Sequence, residues 1–175
     1  MTTASWPLYG AYFIWLCAGC IDFLCHRRAD LANTSGLPES LLHLLQTALM
    51  ALMVIVWMTV APGLGPLLLM ATLGGGHAAA GYADTRVAWH RRPITPLEQH
   101  IHSILDVAPW VLLAAVAYAE YPQVRMQGWS WSWRAPAYTL SVWTAVLLPA
   151  FALCVLPLAR ELWTARQAMR TGAGP

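Results

Sequence analysis

Most of the histidines and acids in this chain fall into pairs with helical spacing. Asp22 precedes His26 by four residues, and Glu39 precedes His43 by four residues. Residues at i and i+4 lie on one face of an α-helix, so each pair presents a carboxylate and an imidazole together. Imidazole and carboxylate groups bind iron, manganese and zinc in proteins. The spacing therefore predicts metal-ligand pairs on two helices.

Two later segments repeat the pattern. Glu98, His102 and Asp106 are spaced by four residues, and His77 precedes Asp84 by seven, which is two helical turns. Four imidazoles and five carboxylates exceed the needs of one tetrahedral zinc ion. They predict a dinuclear centre with bridging carboxylates, with iron as the expected metal and zinc or manganese as alternatives. The nine candidate metal ligands are Asp22, His26, Glu39, His43, His77, Asp84, Glu98, His102 and Asp106.

Other interpretations of these residues stay open at this point. A metal-free path for protons or ions would also need ionisable groups inside membrane spans. Structural pairing near helix ends is the third interpretation. A carboxylate at a helix N-terminus is stabilised by the helix dipole, which suits Glu39 and Glu98. It does not suit Asp22 and Asp84, because both lie near predicted helix C-termini. A haem bound by two histidines would leave the carboxylates without a role.

Three further polar residues lie near the predicted ligands. His100 is about 200° around the helix from Glu98 and is expected to face away. His90 lies in an arginine-rich connection and is expected to be solvated. Gln46 follows His43 by one turn and could support a ligand through a hydrogen bond.

The composition restricts the class of protein that must position these residues. Charged residues make up 10% of the 175 residues and hydrophobic residues 58%, whereas a soluble domain carries about 25% charged residues. The mean hydropathy is +0.51. These values exclude a soluble enzyme, a disordered chain and a nucleic-acid-binding module. They predict an all-α, polytopic membrane bundle that forms a single transmembrane domain over residues 1–175.

Five apolar segments are long enough to cross a bilayer as helices. Each has close to the roughly 20 residues that a transmembrane helix needs, and each is too long for a barrel strand. The sequence thus predicts five transmembrane helices, four of which carry the histidine and carboxylate pairs. The predicted spans cover residues 7–26, 38–60, 64–89, 97–119 and 136–163.

The arginines predict the orientation of these spans. With the N-terminus outside and the C-terminus in the cytoplasm, eight of the ten arginines lie on the cytoplasmic side. The first and third spans then end where the second and fourth begin, so all the predicted ligand pairs lie near one membrane surface. The tryptophan-rich run at residues 129–133 lies outside, where indoles suit the membrane interface.

Four short motifs contain the predicted ligands: Asp22-x-x-x-His26-Arg27, Thr34-Ser35-Gly36-x-x-Glu39-Ser40-x-x-His43, His77 with Asp84, and Thr95-Pro96-x-Glu98-Gln99-His100-x-His102-Ser103. Together they resemble a group of small bacterial inner-membrane proteins without an established activity. The resemblance covers residues 22–109 and leaves out the last span. It implies a location in the bacterial cytoplasmic membrane and points to the same site residues.

The expected function follows from the ligand set and the membrane setting. A di-iron site near the cytoplasmic surface would oxidise, hydroxylate or desaturate an apolar substrate with oxygen and an electron donor. The substrate would come from the bilayer, as a lipid acyl chain, an isoprenoid or a quinone. One alternative is a zinc-dependent hydrolase of a lipid amide or ester, with Glu39 or Glu98 as general base. A metal transporter or a haem electron carrier is a second alternative.

Overall fold

The protein is predominantly helical over the part of the chain that the structure describes. The structure is a computed structural model that describes residues 5–172. Over that range it contains no β-strand beyond an isolated bridge between Val60 and Trp133. Its six α-helices are α1 (Ser5–Arg28), α2 (Gly36–Thr59), α3 (Leu64–Ala88), α4 (Pro96–Ala119), α5 (Tyr121–Gln127) and α6 (Leu140–Thr171).

Four of these helices are long and apolar enough to cross a membrane: α1, α2, α4 and α6. The prediction of five spans is therefore confirmed only in part. Helix α3 has 25 residues, as many as its neighbours. Three consecutive glycines and His77 make its sequence less apolar than theirs. The last span also differs from the prediction, because α6 begins at Leu140 instead of residue 136 and continues to Thr171 instead of residue 163.

Short connections reverse the direction of the chain between successive helices from α1 to α4. Asp30 takes up the left-handed backbone conformation after α1, with φ of 52°, and Gly36 opens α2 with φ of 63°. Four residues, 60–63, separate α2 from α3. Helix α4 starts at Pro96, where the Thr95 side chain accepts a hydrogen bond from the Glu98 backbone N–H. The C-terminal ends of α1 and α3 therefore lie beside the N-terminal ends of α2 and α4.

Two helix pairs form the body of the bundle. Helix α2 packs along α3, and α1 packs along α4. The apolar core between them includes Trp15, Met50, Met53, Met70 and Leu73. This core occupies the half of the bundle away from the predicted ligands, so the polar residues at the other end face one another across a separate layer.

Helix α6 is distorted where it crosses the bundle. Residues Phe151–Val155 form a π-helical turn, with Pro149 before it and Pro157 after it. A π turn holds one extra residue, which rotates the following side chains by about 100° relative to an unbroken helix. The half of α6 that follows the turn packs on α2, while the turn itself packs on α1. This change of phase determines which residues of α6 face the bundle interior.

The connection between α5 and α6 closes the opposite end of the bundle. Arg134 forms an ion pair with Glu120 at 3.1 Å and donates hydrogen bonds to the Trp57 carbonyl oxygen. Trp129 and Trp133 are 66% and 78% exposed. Their exposure is compatible with the predicted place at a membrane interface, which stays a prediction.

Candidate metal centre

Eight histidine and carboxylate side chains from five helices meet at the end of the bundle where α1 and α3 finish. Helices α1, α2 and α4 each supply an acid and a histidine with the predicted spacing of four residues. Helix α3 supplies one acid, and so does α6. We call these residues the His/carboxylate cluster: Asp22, His26, Glu39, His43, Asp84, Glu98, His102 and Glu161.

Glu161 holds two histidines of this cluster through one carboxylate. Its Oε2 lies 3.1 Å from His26 Nδ1, and its Oε1 lies 2.6 Å from His43 Nδ1. The two imidazole rings stack with centroids 4.4 Å apart and planes within 4° of parallel. Because a carboxylate only accepts, both Nδ1 atoms carry the proton and donate to Glu161. Both rings therefore present Nε2 on the side away from Glu161.

The Nε2 atoms face carboxylates at short range. His26 Nε2 lies 3.4 Å from Asp22 and 3.6 Å from Glu98, and His43 Nε2 lies 3.1 Å from Asp84. His102 Nε2 lies 3.1 Å from the other oxygen of Asp22. Two atoms that each lie about 2.1 Å from one metal ion are about 3.0 to 3.4 Å apart, which matches these distances except the 3.6 Å between His26 and Glu98.

These facing atoms do not form hydrogen bonds with one another. Buried polar groups normally have a partner, and the cost of leaving them without one is of order 1–3 kcal/mol each. Groups of acceptors that face each other are a feature of metal sites, because a cation contacts the lone pairs of all of them. Among the residues described, the buried atoms of the cluster without a hydrogen-bond partner are Nε2 of His26, His43 and His102, Oδ1 of Asp22 and Asp84, and Oε2 of Glu98, whereas Oε1 of Glu98 faces the Arg92 guanidinium at 2.6 Å.

Two subsets of the cluster have the compactness of a metal site. Ligand atoms of Asp22, His26, Glu98 and His102 all lie within 4.8 Å of one another. Ligand atoms of His26, Glu39 and His43 meet the same limit. These buried groups could hold a metal ion.

Arg92 is the cation that the cluster already contains. Its guanidinium donates to Glu39 through Nε at 3.2 Å and lies 2.6 Å from Glu98 through Nη2, with both carboxylates completely buried. Burial by itself would lower the pKa of Arg92, but the hydrogen bonds to Glu39 and Glu98 outweigh burial and raise that pKa. Arg92 is therefore permanently charged, and it fixes the positions of two carboxylates from α2 and α4.

The charges of the cluster do not balance. Five carboxylates and one guanidinium leave four negative charges when the imidazoles are neutral. Burying unpaired charge is costly, and buried charges in proteins are normally paired or bound to metal ions. Two divalent cations would neutralise the four remaining charges.

Two of the nine predicted ligands, His77 and Asp106, lie outside the His/carboxylate cluster, and Asp84 belongs to the cluster through His43 but to neither compact subset. His77 is buried and has no hydrogen-bond partner among the residues described, and it lines a cavity next to the cluster. Asp106 is exposed, and its Oδ1 would lie 3.2 Å from a Cβ added to Gly81 of α3. Both residues share a helical face with cluster residues. They lie farther along the helix axis, because seven residues from His77 to Asp84 cover about 10 Å.

The predictions for His90 and His100 agree with their exposure at the surface. Neither Glu161 nor Arg92 is among the site residues predicted from the sequence. Glu161 has no histidine four residues away and lies in an arginine-rich stretch outside the recognised motifs. Arg92 was counted among the arginines of a cytoplasmic connection. The only signal for Glu161 was that it is the single acid of the last span.

No family model, curated protein or solved structure matches this chain. The resemblance to small bacterial inner-membrane proteins therefore stays a prediction.

Proposed function

We propose that this chain is an integral-membrane metalloprotein whose His/carboxylate cluster binds two divalent metal ions. The observation that carries the proposal is the pair of stacked imidazoles on Glu161. Both present Nε2 to the same side, and the ring centroids are 4.4 Å apart. This separation is close to the roughly 3.5–4 Å between the metals of two-metal sites. The four negative charges that remain when the imidazoles are neutral also support two divalent ions.

The residues divide between two positions in this proposal. His26, Asp22, Glu98 and His102 would bind one ion, since their ligand atoms form one compact subset. His43 and Asp84 would bind the other, because His43 Nε2 lies 3.1 Å from Asp84. Glu39 belongs to the subset that contains both His26 and His43, so it would be available as a ligand at either position.

Glu161 would not bind metal in this arrangement. Its carboxylate accepts both Nδ1–H groups, which sets the tautomer of the two rings and leaves Nε2 free to bind. Arg92 would hold Glu39 and Glu98 from the side. Glu161 and Arg92 thus orient the ligands, and neither needs to contact an ion.

We further propose that the metal is iron and that the protein is an oxidoreductase. Iron suits a site of carboxylates and imidazoles without thiolate ligands, and helical bundles use such sites to activate oxygen. The reaction would be the oxidation, hydroxylation or desaturation of an apolar lipid or quinone-type substrate. Hydroxylation consumes one oxygen molecule, two electrons and two protons per C–H bond and releases one water. The electrons would come from a separate donor.

The membrane arrangement forms part of the proposal. We infer that α3 is the fifth span, since its 25 residues extend about 37 Å and it packs along α2. The N-terminus would lie outside and the C-terminus in the cytoplasm of a bacterial inner membrane. The distribution of arginines supports this orientation, because eight of the ten lie at the cluster end of the helices or beyond it in α6.

A zinc-dependent lipid hydrolase is the second candidate. It is favoured by the compact subset of Asp22, His26, Glu98 and His102, which alone would suffice for one zinc ion. The predicted general bases for hydrolysis, Glu39 and Glu98, both pair with Arg92. An ion pair with a guanidinium makes a carboxylate less basic, so neither residue suits a general base and hydrolysis is the weaker candidate.

Anaerobic loading of the purified protein with ferrous iron tests the proposal. The iron-loaded protein should consume oxygen and show the magnetic coupling of two adjacent irons. His43→Ala should lose both properties, while His90→Ala, a matched change at an exposed histidine, should keep them. Stoichiometric zinc that iron does not displace, together with hydrolysis of a lipid amide, would favour the second candidate.

A further inference from the structure

Two apolar cavities lie end to end along α1. The first has a volume of about 340 Å³ and is lined by Asp22, His43 and His77 at the cluster end. The second has a volume of about 390 Å³ and continues toward Leu8 at the other end of α1. Both volumes lie in the range of ligand-binding pockets, roughly 300–1,000 Å³. The cavities meet where they share the lining residues Tyr12, Trp15 and Val54.

The two cavities together are long and narrow. Along α1, their lining extends from Leu8 to Asp22, and fourteen residues of helix cover about 21 Å. Apart from the residues at the cluster end, the walls are mainly aliphatic, aromatic and methionine side chains. The hydroxyls of Tyr9 and Tyr12 already donate to carbonyl oxygens of α6, at 3.1 Å and 2.9 Å. Such a space fits an extended hydrocarbon chain.

Water is a poor occupant for these cavities. A buried water molecule needs two to four polar partners, and the middle of this space has almost none. A void in a bilayer also forfeits the dispersion contacts of the side chains around it. Hydrocarbon from the surrounding lipid supplies those contacts without desolvating any polar group.

Residues of α2 and α6 that line the cavity near the cluster are also exposed on the outside of the bundle. The half of α6 after the π turn packs on α2, whereas the π turn itself packs on α1. Ala51 and Ile55 of α2 and Leu147 and Phe151 of α6 line this cavity, and all but Ala51 are large apolar side chains that are partly exposed. We infer that a lipid chain can enter between these two helices.

The cluster closes the inner end of the space. Glu39 and Glu98 are fully buried, and His26 is 1% exposed. A polar headgroup cannot pass through this end, so a chain can enter only with its apolar end toward the cluster.

We propose that these cavities bind the long apolar chain of a membrane lipid, inserted from the bilayer between α2 and α6 with its methyl end beside Asp22, His43 and His77. This inference rests on the proposed function for the chemistry at the cluster, and it names the substrate class and the part of the substrate presented there. An acyl chain and a polyprenyl chain share the chemistry that the cavity recognises.

Photolabelling of the full-length protein in lipid vesicles tests the proposal. Two probes serve as separate arms: a phosphatidylglycerol with a diazirine near the methyl end of one acyl chain, and a polyprenyl alcohol with a diazirine in its terminal unit. Mass spectrometry of the labelled peptides should find the adducts on Phe23 and Met50, which are cavity or core residues near the cluster. The arm that labels them identifies the source of the chain. If neither probe labels these residues, the proposal is overturned.

Val54→Trp provides the variant, because Val54 lines both cavities where they meet. The larger side chain should reduce labelling of Phe23 and Met50 about tenfold by filling that space. Leu52→Trp is the matched control on the same helix, since Leu52 is 46% exposed and lines neither cavity. Equal labelling of the two variants, or adducts confined to lipid-exposed residues such as Leu52, would overturn the proposal.

Two additional measurements separate this proposal from the proposed function. If Val54→Trp does not fold, excess unlabelled lipid should still compete with labelling of the wild-type cavity, and non-competable labelling would contradict a binding site. Metal content is measured on the same samples. Labelled cavities in a protein that binds no metal would refute the metal centre and retain the chain-binding site. Bound metal with unlabelled cavities would refute the chain-binding site and retain the metal centre.

Discussion

Replacing Glu161 with glutamine should weaken metal binding by the His/carboxylate cluster about 10- to 100-fold, the usual loss when a group that orients a metal ligand is removed. In the wild type, one carboxylate accepts Nδ1–H from both His26 and His43. Glutamine keeps one accepting oxygen and replaces the other with an amide that donates. One of the two rings must then accept at Nδ1, and its Nε2 carries the proton. That ring can no longer bind a metal ion through Nε2.

The expected loss corresponds to about 1.4–2.8 kcal/mol of binding free energy. It is similar to the cost of about 1–3 kcal/mol for leaving one buried polar group without its partner. Competition between the detergent-solubilised protein and a chelator of known affinity measures the metal dissociation constant. Glu120→Gln is the matched control, because Glu120 pairs with Arg134 at the opposite end of the bundle. A dissociation constant for Glu161→Gln that equals the control would refute the assigned role of Glu161.

The remaining predictions concern charge, ligands and topology. Arg92→Met should destabilise the metal-free protein by about 3–5 kcal/mol, because two buried carboxylates lose their cation. Arg91→Met should cost only about 0.5–1.5 kcal/mol, because Arg91 donates one hydrogen bond, at 3.3 Å to the Ser35 carbonyl oxygen, and equal unfolding temperatures of the two variants in detergent would contradict this difference. His43→Ala should lower the bound metal far more than His90→Ala, as elemental analysis would measure, and equal losses would count against the cluster. A reporter fused at Gly128 should be active only outside the cytoplasm, and a cytoplasmic signal there would reverse the proposed orientation.

The paired ligands could be predicted because their geometry is local. A spacing of four residues places Asp22 beside His26 and Glu39 beside His43 on any regular helix. The alternation of helix direction then brings such pairs to one level. The same reasoning was less reliable for His77, because residues seven apart share a face but are about 10 Å apart along the axis.

The contribution of α6 could not be predicted from such patterns. The face on which Glu161 lies depends on the π turn at Phe151–Val155, and hydrophobic periodicity does not reveal where a helix takes in an extra residue. Arg92 depends on the fold of a connection between two helices. An arginine in that position looks like an ordinary cytoplasmic charge until tertiary structure places buried carboxylates around it.

The number of metal ions per chain tests the central proposal most directly. Elemental analysis of the purified protein, with the protein concentration determined by amino-acid analysis, measures this number. Two divalent ions per chain are expected, because the five carboxylates and Arg92 of the site leave four negative charges. A wild-type protein that binds no metal from an excess of iron, zinc or manganese would contradict the proposal, and saturation at one ion per chain would contradict its dinuclear form.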